Sequence, residues 1–484
     1  MKEKKIIRDP IYKDIIINPS ELEIIDNPIV QRLRNIKQTG LSYMVYPSAN
    51  HSRFEHSLGT MNIAGEIFKR FINLDLEVIR LAALLHDIGH PPFSHTLEIR
   101  GYNHEEVTAE KINKMNFENY SPWEINNVLQ SYGVEGKLLS GDIDADRIDY
   151  LMRDSYHTGV AYGSIDYNRL IRGLEIYQEN NNKDSKETGT YNKVVISEKS
   201  TIAVESLLLA RYQMYSSVYM HNTSRIAETM LKKATIYGID NKLLKVNDLK
   251  NMDDIDLIST LRSDNKGESG KLIKMINNRD LFKSMINLKY DELTNVDKWK
   301  LINLSEEELE KLEYELEDKF GIKIFIDIPP IPKINEHNVK VLVNGKINRL
   351  DELSPLAKSL KLSYIKAWTI YIHIEPEIKR YTRNKRNSIL KGIKSHIFNF
   401  IDSIEFNDKI YYLINEVGKI SGKGNLQILL KEQGFKEREY IDKIKKLMFC
   451  GLVVEKSNPV RGTIRYDYTT AKIKNRKNRK NTKI

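Results

Sequence analysis

Apolar residues recur at three-to-four spacing through most of the first 249 positions, in stretches such as 61–72, 74–85 and 202–218, and this period predicts helices that share a core. The polar run 180–190 interrupts it and reads as a surface loop. The following 193–198 reads as a short strand, so a hairpin or flap is expected there. From about 250 to 385 the pattern changes. A charged helix near 304–320 leads into alternating residues at 322–328, then Pro329, Pro330 and Pro332, then a strand candidate at 339–343. Asn344-Gly345 marks a hairpin. With a short helix at 353–362 and a strand at 369–374, this part reads as a small α+β domain. Beyond Arg386 come a helix at 389–404, helical residues 426–430, a turn at Gly434, a helix at 437–449, Gly451, and strand-like runs at 452–455 and 463–468. Helix, turn, helix and β-ribbon form the outline of a winged helix, a module that binds DNA in some proteins and serves as an interaction or dimerisation surface in others. The chain shows no internal repeat.

Length and composition sharpen this division. With 484 residues, 40% of them hydrophobic and 29% charged, the chain suits two or three domains. The expected division is 1–249, 250–385 and 386–470, followed by a tail at 471–484 expected to be disordered. That tail carries Lys472, Lys474, Arg476, Lys477, Arg479, Lys480 and Lys483, which read either as solvated charge or as a grip on phosphates. No segment approaches the ~18 uninterrupted apolar residues of a membrane span, and the amino terminus lacks the apolar stretch of a signal peptide. A cytoplasmic protein without a membrane partner is expected. The single cysteine, Cys450, excludes an intramolecular disulfide and a Cys-cluster metal site, so any metal would need His and carboxylate ligands. Lys and Arg (76) exceed Asp and Glu (66), giving +10. This favours anionic partners such as nucleotides or nucleic acid, although a Lys- and Asn-rich composition explains it equally well.

The informative stretch is Leu84-Leu85-His86-Asp87-Ile88-Gly89-His90-Pro91-Pro92. Its apolar lead-in predicts a buried helix, and the Pro pair predicts that the helix ends near His90. His86 and His90, four apart, first suggest a zinc-protease pattern. Against that, the acid is Asp rather than Glu, Gly89 sits inside the motif, and Pro91 stops the helix. A lone His-Asp pair is common by chance, and the case rests on its company: residues 52–59, with Arg53 and His56, and residues 141–150, with Asp146. His56, the His86-Asp87 pair and Asp146 would make a mixed N/O site suited to Mn²⁺, Fe²⁺, Mg²⁺ or Zn²⁺. In the predicted helix 146–157, Asp146, Tyr150 and Asp154 recur at a spacing of four with Arg147 beside them, where a structural helix would carry apolar residues. A later predicted helix presents Arg211, Tyr215 and Tyr219 at i, i+4 and i+8.

Asp9-Pro10-Ile11-Tyr12 and the segments 31–38, 53–59, 86–95 and 142–159 together resemble, in order, the HD-domain metal-dependent phosphohydrolases of the deoxynucleoside triphosphate triphosphohydrolase branch. That branch includes the dGTPase-like and the SAM-and-HD-domain types. The likeness continues through Pro329-Pro330 and 352–356 and stops at 385. It implies a mainly α fold: a helical HD-domain core, here followed by the small α+β domain and the winged-helix-like region.

The resemblance makes His56, His86, Asp87 and Asp146 the metal ligands and His104 the catalytic histidine, with Asp87 and His90 in the catalytic set. His95 would hold phosphates or orient its neighbours, the alternative for both His90 and His95 being a satisfied helix-end histidine. It assigns Arg53 and Arg147 to the triphosphate. Tyr150 would crowd a 2′-hydroxyl, and Asp154 would accept a hydrogen bond from the 3′-hydroxyl. Gln38 would contact sugar or base, or is a turn glutamine. Arg211 falls on a phosphate arginine and Tyr219 on a base-contacting tyrosine; Met220 stands where some relatives have Gln, which leaves the base open, and His221 reads equally as packing.

The implied activity is hydrolysis of deoxynucleoside triphosphates, dGTP or dNTPs generally, to deoxynucleoside and tripolyphosphate, with a divalent metal and in a homo-oligomer. One rival is a sister activity on the same metal site: nucleotidase, pyrophosphohydrolase or cyclic-nucleotide phosphodiesterase. The other is a nucleic-acid-binding regulator that uses the winged region and the basic tail.

Overall fold

A computed structural model describes residues 4–71, 75–130, 133–179, 191–332, 339–460, 463–471 and Ile473. The expected loop at 180–190 and the basic tail, Ala471 and Ile473 apart, lie outside the described residues. The chain forms two compact units. The first comprises Met1–Leu281 with Asn335–Leu362, and the second Phe282–Ile334 with Ser363–Ile484.

The first unit opens with an antiparallel hairpin of β1 (Lys5–Asp9) and β2 (Lys13–Ile17). Helix α1 (Arg53–Phe68) starts at Ser52, whose hydroxyl accepts from the Glu55 amide while the Glu55 carboxylate accepts from the Ser52 amide. It is buried along most of its length and packs on α2 (Leu76–Leu85). Helix α3 (His104–Ile112) is followed by α4 (Ala145–Thr158), which crosses α1 at Gly59. A Cβ there would fall 1.9 Å from Asp149 Oδ1, so only glycine lets the helices approach this closely. The expected hairpin at 193–198 is present: β3 (Leu174–Glu179) pairs antiparallel with β4 (Tyr191–Ser197). Helix α5 (Thr201–Met214) and α6 (Asp254–Ser263) complete the elements that bear on the site.

Two local expectations are corrected. The helix preceding the His-Asp pair ends at Leu85, with His86 as its cap, rather than near His90. The next residues turn by short-range bonds from Ile88 N to Leu85 O and from His90 N to Asp87 O, so the His-Asp motif lies on a turn. Gly89 is required there, because a Cβ would meet His104 O at 2.2 Å where α3 begins. The later helix also changes character: Tyr215–Tyr219 is a π-helical turn, so Tyr215 and Tyr219 do not continue the stripe of Arg211.

The second unit has a three-stranded antiparallel sheet, β5 (Lys283–Lys289) and β6 (Ile324–Asp327) flanking β7 (Thr369–Ile374). Helix α7 (Glu306–Phe320) precedes β6, and α8 (Arg383–Ser403) contributes Ile393, Ile397 and Ile401 to the same core. Then follow α9 (Lys409–Val417), β8 (Lys419–Ser421), α10 (Lys423–Glu432), α11 (Glu437–Cys450) and a hairpin of β9 (Val453–Val460) and β10 (Thr463–Thr470), with sheet order β8-β10-β9. Helix, strand, two helices and a hairpin make the winged-helix order. The molecule is mainly α, with small sheets.

This grouping differs from a division at 249 and 385. Residues 250–281 belong to the first unit, and the Asn344-Gly345 hairpin, Lys340–Val343 with Lys346–Arg349, returns to it by parallel pairing of Ile196 with Val341. The remaining middle residues share one core with the winged-helix part. Sequence periodicity reports which face of an element is apolar and carries no information on which sheet it joins.

Candidate metal centre and active site

Helix α1 supplies His56, the α2 cap His86, the turn after it Asp87, and α4 Asp146. His56, His86 and Asp146 each offer a ligand atom within 4.8 Å of the others. The orienting bonds are specific. His56 Nδ1–H donates to Asp149 Oδ2 (2.8 Å) and His86 Nδ1–H to the Ala83 carbonyl (2.7 Å), which turns both Nε2 atoms inward. His56 Nε2 lies 3.0 Å from Asp146 Oδ1, and His86 Nε2 is buried without a hydrogen-bond partner. An orphaned imidazole nitrogen facing carboxylates suits a divalent cation. Burial works to lower the His56 imidazole, but Asp146 and Asp149 outweigh it and raise it to about 10; a cation would take over the charge those carboxylates draw to this spot.

Asp87 lies 3.6 Å from His56 Nε2, 3.4 Å from His86 Nε2 and 3.3 Å from His90 Nε2, and it also pairs with Arg53. Burial would raise this carboxyl; Arg53, followed by His86 and His90, holds it well below the usual range. Arg53 is itself buried and donates through Nε to Ser94 Oγ (2.7 Å).

A second cluster adjoins the first. His90, His95, Glu98 and His104 bring ligand atoms within 4.8 Å of one another. Glu98 accepts from His95 Nδ1 (2.9 Å) and from His104 Nδ1, and the His104 ring stacks on His90 at 4.0 Å. Burial works to raise the Glu98 carboxyl, but the two histidines hold it well below its ordinary value. His90 is kept neutral by burial and by the charge of Arg53. His95 follows Phe93 and Ser94, both in the left-handed region (φ 54° and 59°), and Asp254 of α6 fixes this turn by accepting from the Phe93 amide (2.6 Å) and the Lys37 amide (3.0 Å).

Along α4 the predicted stripe is present. The Tyr150 ring stands 6.5 Å from that of His56. Arg147 donates to the Asp142 carbonyl (2.9 Å) and lies 3.5 Å from Asp144. Burial pushes the Asp144 carboxyl up to about 7 against the pull of Arg147, and the neighbouring Asp146 adds to the rise. Asp154 is buried, one oxygen accepting from His51 Nε2 (2.8 Å) and the other from the Tyr219 hydroxyl (2.6 Å). The π turn therefore brings Tyr219 to Asp154. Gln38 donates its backbone N–H to the His51 carbonyl (3.0 Å), its side-chain Oε1 buried without a partner, and His221 caps the helix Asn222–Asp240 by accepting from Thr223 N.

Sequence reasoning passed over Glu98, Asp149, Arg153 and His51. Asp149 receives the Tyr12 hydroxyl (2.7 Å) and two bonds from Arg153, which also binds Asp9 (2.8 Å). The Asp9–Tyr12 motif is thus an anchor for the residue that orients His56. The i, i+4 spacing of Asp149 and Arg153 was the available signal.

Two family models match the chain: "HD domain" over residues 53–153 and "HD associated region" over residues 165–396. An uncharacterized protein of Methanocaldococcus jannaschii is 48% identical over 94% of this chain and 97% of its own. The deoxynucleoside triphosphate triphosphohydrolase SAMHD1 homolog of Dictyostelium discoideum is 29% identical over 63% of this chain and 64% of its own length. The crystal structure of a phosphohydrolase from Bacteroides thetaiotaomicron superposes with a TM-score of 0.59 at 27% identity, covering 77% of this chain and 99% of that one. No helix among the described residues is long and apolar enough to cross a membrane. With His and Asp residues positioned for a metal on α1, at the cap and turn after α2, and on α4, the chain belongs to the HD-domain phosphohydrolases, on the deoxynucleoside triphosphate triphosphohydrolase-like branch.

Proposed function

We propose that this protein hydrolyses deoxynucleoside triphosphates to deoxynucleoside and tripolyphosphate. The observation that carries the reading is the His56–His86–Asp146 cluster with the His90–His95–Glu98–His104 cluster adjoining it and, on the same helix as Asp146, Tyr150 with its ring 6.5 Å from that of His56 and Asp154 bonded to Tyr219. Such a grouping suits a metal, a triphosphate and a sugar.

His56, His86, Asp87 and Asp146 would hold the metal. A divalent cation supplies positive charge at the phosphate and lowers the pKa of water at the site. Arg147 and Arg211 neutralise phosphate oxygens, with Arg53 setting the charge on Asp87. Water attacks the α-phosphorus, the bond from phosphorus to O5′ breaks, and His104, its Nδ1 held by Glu98, delivers a proton to O5′. Tyr150 crowds a 2′-hydroxyl, and Asp154 accepts from the 3′-hydroxyl.

The test is phosphate-product analysis with four dNTPs and four NTPs, Mn²⁺ or Mg²⁺, and an Asp146→Ala control. Metal-dependent tripolyphosphate from dNTPs alone, lost in the control, is expected; orthophosphate or pyrophosphate would assign a sister phosphohydrolase activity instead. The winged-helix order of α9 to β10 favours a second role in nucleic-acid binding. Such binding should survive His86→Ala and weaken steeply with salt.

A further inference from the structure

Among the buried polar atoms of the first unit that have no hydrogen-bond partner, four lie near one another in sequence or in contact, on two short stretches and one helix end: Gln38 Oε1, Thr39 Oγ1, His51 Nδ1 and His157 Nε2. His51 connects them. Its carbonyl accepts the Gln38 backbone N–H (3.0 Å), and its ring stacks on His157 at 4.5 Å with 15° between planes. Its Nε2–H donates to Asp154 Oδ1 (2.8 Å), while the other Asp154 oxygen takes the Tyr219 hydroxyl (2.6 Å).

We propose that His51 is the positioning residue of the nucleoside end of the site, fixing Gln38 through its backbone and the Asp154–Tyr219 pair through its ring. The inference rests on the dNTP reading above. The physical basis is the Asp154 carboxylate: each oxygen has two acceptor positions, and with one used by His51 and one by Tyr219, the carboxylate is held in one orientation with a free acceptor position on each oxygen for a sugar hydroxyl. His51 makes its bond with a ring that stacking on His157 already holds in place, so little ordering is left to binding. His51 touches neither the metal ligands nor the second histidine cluster in any hydrogen bond among the described residues.

The experiment compares the full-length chain with His51→Gln, which keeps a donor near the Nε2 position, and His51→Ala, with His51→Leu replacing the latter if it does not fold. KM and kcat are measured for dGTP and GTP, and Mn²⁺ binding is measured by calorimetry. In the donorless variant KM for dGTP should rise about tenfold or more, as expected for losing a hydrogen bond to a charged group. Its kcat should change far less, dGTP-over-GTP preference should narrow, and Mn²⁺ affinity should stay unchanged. His51→Gln should recover most of the KM. An unmoved KM in the donorless variant, or equal losses in the Gln and donorless variants, overturns the positioning role while the wild type still turns over dGTP. A wild type that neither binds nor hydrolyses any dNTP overturns the substrate reading and this inference with it.

Discussion

Asp149 is where folding and metal binding meet in a single side chain. It is fully buried, receives Tyr12, Arg153 and His56, and its carboxyl, which burial alone would raise, is brought down to about 2 by Arg153 and His56. In Asp149→Asn the His56 ring loses its charged anchor and Arg153 loses one of its two carboxylates. Metal affinity should fall by about 10- to 100-fold, read by Mn²⁺ titration. The melting transition should drop by an amount corresponding to about 3–5 kcal/mol, because a buried charge is left short of a partner. A variant that melts lower but binds Mn²⁺ normally would show that Asp149 serves the fold alone. Gly89→Ala tests the same logic from the backbone: its Cβ has no room between the motif turn and His104 O, so it should separate the two clusters and abolish turnover, and retained activity would show that the turn can shift at no cost.

At the level of elements, the motif turn is held by the half-buried Arg32 and the buried Lys111. Arg32 donates to the carbonyls of His90 (2.8 Å) and Met252 (2.9 Å), and Lys111 of α3 to those of Ile88 (2.9 Å) and Lys250 (2.6 Å). Burial, then the charge of Arg32, pushes the Lys111 ammonium down from 10.5 to about 7. Between those values the unfolded chain keeps a proton that the folded chain has released, so this group makes stability rise with pH across that window. Lys111→Met lacks the linkage. The wild type should therefore gain on the order of 2–4 kcal/mol relative to Lys111→Met between pH ~6 and ~10, followed by denaturant unfolding at several pH values; parallel pH profiles would show that Lys111 stays charged in the folded protein. Such supports explain what the sequence could reveal. The grouping of His56, His86 and Asp146 and the strand 369–374 were legible because motif spacing and alternation are local. The helix end at Leu85, the π turn at Tyr215–Tyr219 and the buried partner Asp149 were not, because each depends on a neighbour distant in the chain: α3 against Gly89, Tyr219 against Asp154, Tyr12 against Asp149.

For the whole molecule, each unit is interrupted in sequence, so neither can be cut out at a single point. In the second unit α8 lays Ile393, Ile397 and Ile401 into the core that contains Ile370, Ile372 and Ile374 of β7. Burying each such side chain is worth roughly 1.5–3 kcal/mol, and three together are a large part of the net stability of a domain. A chain ending at Tyr381 would keep the β5–β7–β6 sheet but uncover this face. It should give low soluble yield, bind a hydrophobic dye and melt well below the full-length protein. A chain ending at Ala471, which loses only residues beyond β10, should keep the full-length melting temperature. If nucleic acid binds through the tail, this shorter chain should also show weaker binding and a shallower salt dependence, because each lost phosphate contact removes about one unit from the slope of log affinity against log salt. A chain ending at Tyr381 that stays soluble and melts unchanged would instead make the winged-helix region an independent module, and α8 a linker.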